Sequence, residues 1–330
     1  MSSIVKSIVD SYVAPYIAWY ELLKDLSVEH WIAIIVGSFI FGIIIVNGND
    51  SSHDLLLYGK NRPDKPKLFN SVDLLTRATN YFNKYNVPKS YFKHYYIFFT
   101  IYLLTIKTIL LNYQIEFYPK MNEVFIKFYE DYCLKYELSD TNYVSLTFAS
   151  YLLTIQSFRR LYENLFIVKF SKNQMNILHY AFGIVFYAVL GSISFISLLP
   201  YYINDYHVEI DFSNLDPFDY VTFGIFAFYS WDQYDNHIYL ASLKKYTIPT
   251  QRFFEWTASA HYFDEIMIYS AVGKFFIGCE DITWIKVCFS LVWLLVVLNL
   301  SISAGQSYKF YQAKFKETFK TPYKIFPYVY

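Results

Sequence analysis

WIAIIVGSFIFGIIIV, Trp31 to Val46, runs for sixteen residues without a charge, and its reading decides the class of the chain. A bilayer crossing takes about 20 apolar residues, with a range near 17–25. Working outward, six further apolar blocks follow: Tyr95–Leu111 (interrupted by Lys107), Tyr143–Phe158, Leu178–Leu199, Phe218–Trp231, Tyr262–Ile277 and Ile282–Ala304. Together they predict an all-α integral membrane protein with about seven transmembrane helices. Phe218–Trp231 is short enough to be a buried or re-entrant helix instead.

Of 330 residues, 55% are apolar and 17% charged, with a formal net charge of zero. The total does not point to nucleic acid, and the distribution is more telling. With seven spans and the N-terminus outside, four segments face the cytoplasm. They carry eight Lys and Arg (Asn47–His94), four (Arg159–Ile177), three (Gln233–His261) and five (the tail). On the other side, Asn112–Thr141 has three against six acids, and Pro200–Pro217 has acids only. That is the positive-inside asymmetry, and it predicts a cytoplasmic C-terminus. Residues 1–30 hold charges and no long apolar core, so no cleaved signal peptide is predicted. Trp31–Val46 then acts as an uncleaved anchor, which suits multi-pass insertion at the endoplasmic reticulum. Aromatics make up 22%; Trp and Tyr favour membrane interfaces, and genomic base composition is an equal explanation.

Cys133, Cys279 and Cys288 form neither a disulfide framework nor a metal spacing. No metal site, repeat, linker or obligatory protein partner is predicted, and the chain reads as one integral domain over 1–330. Asn112–Thr141 has apolar residues at helical spacing (Ile115, Tyr118, Val124, Phe125, Phe128) and is expected at the outer surface.

Three clusters carry candidate chemistry. In QSFRRLYENLF (Gln156–Phe166), Arg159 and Arg160 stand four and three residues before Glu163, so both reach one carboxylate. They either anchor the helix at the cytoplasmic rim or present planar donors to a phosphate. In DQYDNHIYLASLKKYTIP (Asp232–Pro249), Gln233, Asp235, His237, Lys244 and Tyr246 lie close together beside a membrane face. A cation for phosphate and a ring for a base suit a nucleotide; an amphipathic cytosolic loop is the plain alternative. No GxGxxG occurs, so a soluble dinucleotide fold is not supported. In QRFFEWTASAHYFDEIMIYSAVGKFFI (Gln251–Ile277), His261 and Glu265 share a helix face and reach the same ligand, while Asp264 is a partner for Lys274 or Arg252. Ionisable groups in a span cost roughly 2.5–3.5 kcal/mol each on insertion scales, so they are paired, inward-facing or functional. At the end, Tyr311 belongs to a basic aromatic tail that lies on the membrane surface or closes over a cofactor.

These segments resemble the steroid 5α-reductase family, in its polyprenol reductase branch. The resemblance runs along most of the chain: LLLYGK (Leu55–Lys60), NVPKSYFKHYY (Asn86–Tyr96), QSFRRLYENLF, HYAFGIVFY (His179–Tyr187), QYxxHxxLxxLK (Gln233–Lys244), IP-x(4)-FEW-x(4)-HYFxE (Ile248–Glu265) and FYxxKF (Phe310–Phe315). It implies a seven-helix bundle whose N-terminal helices (1–158) face the substrate and whose C-terminal half (159–330) binds NADPH. By position, Gln233, His237, Lys244, Tyr246, His261, Glu265 and Tyr311 match cofactor-contacting places of the family; Arg159 and Arg160 are added as candidate phosphate donors, and His261 and Glu265 are the candidate catalytic pair. Lys244 stands where the family usually has Arg, and Ser307-Tyr308 where the branch has Ser-His. The oxygen-polarising Tyr and Glu of steroid-reducing relatives do not map here; Gln156 and Ser157 stand near their place.

The implied reaction saturates the α-isoprene double bond of a polyprenyl lipid on the way to dolichol for protein N-glycosylation. Hydride adds to C=C only where the resulting charge delocalises. An allylic alcohol offers no sink and an α,β-unsaturated aldehyde does, so polyprenal is the expected substrate, with His261 or a neighbouring Tyr as donor to its oxygen. The alternatives are reduction of an enoyl thioester or a sterol enone, or a non-catalytic lipid-binding membrane protein.

Overall fold

The computed structural model describes residues 23–48, 84–114, 119–206, 215–244 and 247–330, with isolated positions at 77, 80–82, 208–210 and 212. Tyr246 and the LLLYGK motif lie outside the described residues. The helices are α1 (Val28–Gly48), α2 (Phe92–Gln114), α3 (Pro119–Tyr132), α4 (Asp140–Tyr162), α5 (Ile177–Ile203), α6 (Pro217–Ser242), α7 (Ala260–Ile277) and α8 (Thr283–Phe315). Each of the seven apolar blocks falls on one helix, and the protein is all-α and multi-pass.

Helix length and composition alone do not give the number of crossings. Among the described residues, four helical stretches are long and apolar enough to span a bilayer: Val28–Gly48, Lys89–Leu111, Ile177–Ile203 and Thr283–Thr318. A count of seven is not met on those criteria. Helices α4, α6 and α7 carry charged and amide side chains that hide against one another, including buried Gln156, Asp232, Gln233, Asn236 and Asp264. Phe218–Trp231 is not a separate short helix; α6 continues unbroken to Ser242.

The starts of the helices follow local chemistry. Ser139 caps α4, accepting from Asn142 N at 3.3 Å. Asn176 caps α5 through Leu178 N at 2.8 Å, and Asp216 caps α6 through Phe218 N at 2.8 Å, with Pro217 in the first turn. Such caps satisfy amide donors that have no partner within the helix. On faces turned to lipid, Ser38, Thr105 and Thr108 return their hydroxyls to carbonyls one turn back, at 2.6, 2.9 and 2.9 Å. Hydrocarbon offers no other acceptor.

Helix α1 lies on α8, α8 on α7, α7 on α4 and α6, α4 on α2, and α2 on α5, which returns to α8. This ring leaves a hollow at one end. Gly183 and Gly191 allow α2 to close on α5: a Cβ at either place would stand 2.6 Å from the Tyr95 ring or 2.5 Å from the Tyr102 ring. A two-stranded antiparallel pair, β1 (Asn86–Pro88) with β2 (Gln174–Asn176), ties the segment before α2 to the one before α5. Lys89 N donates to Asn173 O at 2.9 Å in the same seam. The tail is more deeply held than a surface tail: Tyr323 exchanges backbone bonds with Trp256 and Ala258, and Ile325 is fully buried. On α3, Phe125 and Phe128 pack against the core as their spacing predicts, whereas Val124, expected on the same stripe, is exposed.

Candidate functional site

The hollow is a cavity of about 740 Å³. Arg160, Gln233, His237, Lys244, His261, Glu265 and Tyr311 all line it. Tyr311 reaches it from the last turns of α8, more than forty residues beyond Glu265 in sequence.

The polar floor is built where α4 ends. The chain leaves α4 through a π-helical turn, Glu163–Ile167, a geometry that recurs at functional sites. Here it buries Glu163 completely. Both Arg159 and Arg160 pair with that carboxylate, as their spacing predicts. Burial by itself would raise the Glu163 carboxyl, but Arg160, His237 and Arg159 override it and hold the group at about 2. Beside that carboxylate stands the His237 imidazole of α6. Its Nδ1 lies 2.8 Å from Glu163 Oε2 and 2.9 Å from an Arg160 amine.

The two arginines then part. Arg159 is not among the cavity-lining residues; its remaining donors go to Gln156 Oε1 at 2.7 Å and to Gln233 Oε1. Arg160 faces the cavity and donates to the Tyr96 hydroxyl at 2.9 Å. Gln156 and Gln233, each held through its carbonyl by Arg159, turn their amides to Glu265. Gln233 Nε2 stands 2.5 Å from Oε2 and Gln156 Nε2 3.3 Å from Oε1. Arg160 Nε is 3.8 Å from the same carboxylate. Gln233 also donates to the His261 carbonyl at 2.9 Å, fastening α6 to the first turn of α7. Glu265 is therefore held by three side chains from two helices, Gln156 and Arg160 of α4 and Gln233 of α6.

His261 sits in an aromatic group, with ring centres 4.2 Å from Tyr262, 5.7 Å from His237 and 5.9 Å from Phe254. Asp264 points away from the cavity and pairs with neither Lys274 nor Arg252. Asn236 donates to it at 2.7 Å and to Asp232 at 3.1 Å. Lys274 is engaged with Asp219, and Arg252 closes on Asp232 and Asp235 at 2.9 and 2.7 Å.

Sequence reasoning left out several lining residues. Lys89 and Lys169 join Lys244 as cationic groups on the cavity. Tyr96, Tyr187 and Tyr269 are buried tyrosines on the cavity wall, the rings of Tyr96 and Tyr187 standing 5.5 Å apart. Tyr269 was legible, because it follows Glu265 by four residues and His261 by eight, on one helical stripe. Lys169 carried no such signal, since its position depends on the turn after α4.

Comparison with known proteins agrees with this architecture. The family model described as 3-oxo-5-alpha-steroid 4-dehydrogenase matches residues 173–330. Over 278 residues the chain is 34% identical to polyprenal reductase of Saccharomyces cerevisiae, covering 84% of this chain and 86% of that protein. It is 28% identical to polyprenal reductase of Homo sapiens over 282 residues, covering 79% and 80%. For polyprenal reductase of Xenopus laevis the identity is 27% over 282 residues, with the same coverage. The chain belongs to the 3-oxo-5-alpha-steroid 4-dehydrogenase (steroid 5α-reductase) family, alongside the polyprenal reductases.

Proposed function

We propose that this protein reduces the α-isoprene double bond of polyprenal with NADPH, giving the saturated aldehyde that leads to dolichol for N-glycosylation. One observation carries the reading: a single cavity combines a cationic, hydrogen-bonding floor with a wall of apolar and aromatic side chains, among them Phe182, Phe186, Leu295 and Leu300. A polar cofactor and a lipid are thereby given adjoining surfaces. The relatives are polyprenal reductases, which points to the same substrate.

The residues present fit a phosphate-bearing nucleotide. Lys89, Lys169 and Lys244 are ammonium donors suited to phosphate, and Arg160 adds a planar guanidinium. Tyr311 offers a ring from α8, and Glu265 offers acceptor oxygens to a carboxamide. Arg159 takes a supporting role in place of the direct contact expected of it, since it holds Gln156 and Gln233 in position. When bound, a reduced nicotinamide supplies the hydride taken by the β-carbon of the conjugated aldehyde. His261 and the tyrosines beside Glu265 are the donors within reach of its oxygen. The N-terminal helices contribute Phe92, Tyr95 and Tyr96 to the cavity, and the 159–330 half contributes the cofactor floor.

In this reading α4, α6 and α7 also cross the bilayer, with their polar faces turned inward, which makes seven crossings. The positive-inside asymmetry puts the cavity mouth and the C-terminus in the cytoplasm, where NADPH is available, and the chain in the endoplasmic reticulum membrane. The test is a substrate panel: purified full-length protein in detergent, with NADPH or NADH, given polyprenal, polyprenol, an enoyl-CoA and a 3-keto-4-ene steroid. Nucleotide oxidation with polyprenal and NADPH is the expected result. Preference for the thioester or the steroid moves the protein to another ene-reduction, and neither oxidation nor nucleotide binding makes it a non-catalytic lipid-binding protein.

A further inference from the structure

Reduction of a conjugated aldehyde needs a donor at the carbonyl oxygen, and the two side chains nearest the place used by steroid-reducing relatives are already committed. Gln156 is bound to Glu265 and Arg159. Ser157 is buried and donates to the Thr154 carbonyl at 2.8 Å. Neither lines the cavity. Tyr95 is also engaged, with its hydroxyl on the His179 carbonyl at 3.3 Å. His261 lies at the start of α7 within the His237, Phe254 and Tyr262 group. Tyr269 stands eight residues further along the same stripe, about 12 Å deeper at 1.5 Å per residue. That is the depth of the apolar wall, where Phe186 packs 6.3 Å from its ring.

Resting on the polyprenal reading above, we propose that Tyr269 donates the hydrogen bond that holds the substrate's carbonyl oxygen. Tyr269 lines the cavity beside Tyr187 and Tyr96. Arg160 donates to the Tyr96 hydroxyl, and the ring of Tyr96 lies 5.5 Å from that of Tyr187, so the guanidinium and the phenols share one wall of low dielectric, where a hydrogen bond to a developing charge is strong. As the β-carbon takes a hydride from the reduced nicotinamide, the C=C pair shifts and the carbonyl opens to an enolate oxygen. Tyr269 retains its proton and stabilises that oxygen. The α-carbon then takes a proton from water and the C=O re-forms, leaving saturated aldehyde and oxidised nucleotide. Tyr269 is the residue that touches the reacting group.

The test uses purified full-length protein with polyprenal and NADPH, comparing wild type, Tyr269→Phe and Tyr187→Phe. Loss of one oxyanion donor lowers kcat about 10²–10³-fold in known cases. Tyr269→Phe is expected to lose about 100-fold in kcat, with the NADPH Kd within about twofold of wild type. The deuterium isotope effect with NADPH labelled at C4 should rise as the reduction step becomes limiting. Tyr187→Phe removes the neighbouring cavity hydroxyl and is expected to cost no more than about tenfold in kcat; a loss of about 100-fold there overturns the assignment, so this variant carries the test if Tyr269→Phe fails to fold. Wild-type kcat in Tyr269→Phe overturns the assignment, as does a fall in kcat that tracks lost NADPH binding. Wild-type protein that leaves polyprenal unreduced overturns the substrate reading itself.

Discussion

Helices α1 and α7 have similar lengths, 21 and 18 residues, yet they meet opposite surroundings. Helix α1 carries no charge from Trp31 to Val46 and rests chiefly on α8. Its Ile34, Phe41 and Ile44 are 47%, 65% and 56% exposed, and they face lipid. Helix α7 packs against α4, α6 and α8, and its inward face carries His261, Glu265 and Tyr269. Lipid is as apolar as leucine, so helices in a membrane gain little from apolar contact with one another; close packing and interhelical hydrogen bonds hold them. The helix that is easiest to recognise as a span is thus the one least involved in the chemistry.

Three substitutions test that contrast. The largest effect is expected at the floor of the cavity. Arg160→Ala removes one of two guanidinium partners from buried Glu163, and breaking a buried ion pair costs roughly 3–5 kcal/mol. Detergent-solubilised protein should melt several degrees lower and turn over polyprenal below about a hundredth of the wild-type rate. A variant with unchanged melting would mean that Arg159 alone neutralises Glu163. Next comes His261→Ala, expected to lower turnover at least about tenfold, equivalent to about 1.4 kcal/mol, while the protein level in the membrane holds. Unchanged turnover would remove His261 from the site. The smallest effect belongs to α1: Phe41→Leu should change stability by no more than about 0.5 kcal/mol, as exposed positions generally do. A marked loss of melting temperature there would show that protein, and not lipid, covers that face.

How much could be read in advance differed by cluster. The shared carboxylate of Arg159, Arg160 and Glu163 was legible because all three lie within one and a half turns of one helix. His261 with Glu265, and Tyr269 after them, obey the same periodicity. The pairing of Asp264 was misread, because sequence distance favoured Lys274 and Arg252 while Asn236, 28 residues away, faces it across the α6–α7 contact. Arg159 was assigned to the cofactor on its residue type. Its actual partners, Gln156 and Gln233, depend on α4 and α6 being neighbours. The strand pair at Asn86–Pro88 and Gln174–Asn176 gave no signal, since three-residue strands carry no periodicity.

By itself, the order of residues determined that this is a helical membrane protein, where its helices lie, and which motifs place it among the reductases. Those properties follow from local hydrophobicity, spacing and caps, which act within a few turns of chain. Only the tertiary structure decided which polar groups are spent on one another and which are left facing the cavity. That choice arises from contacts between helices far apart in sequence. There Gln156, Gln233 and Arg159 form the support, and Arg160, Glu265 and Tyr269 are presented to whatever enters.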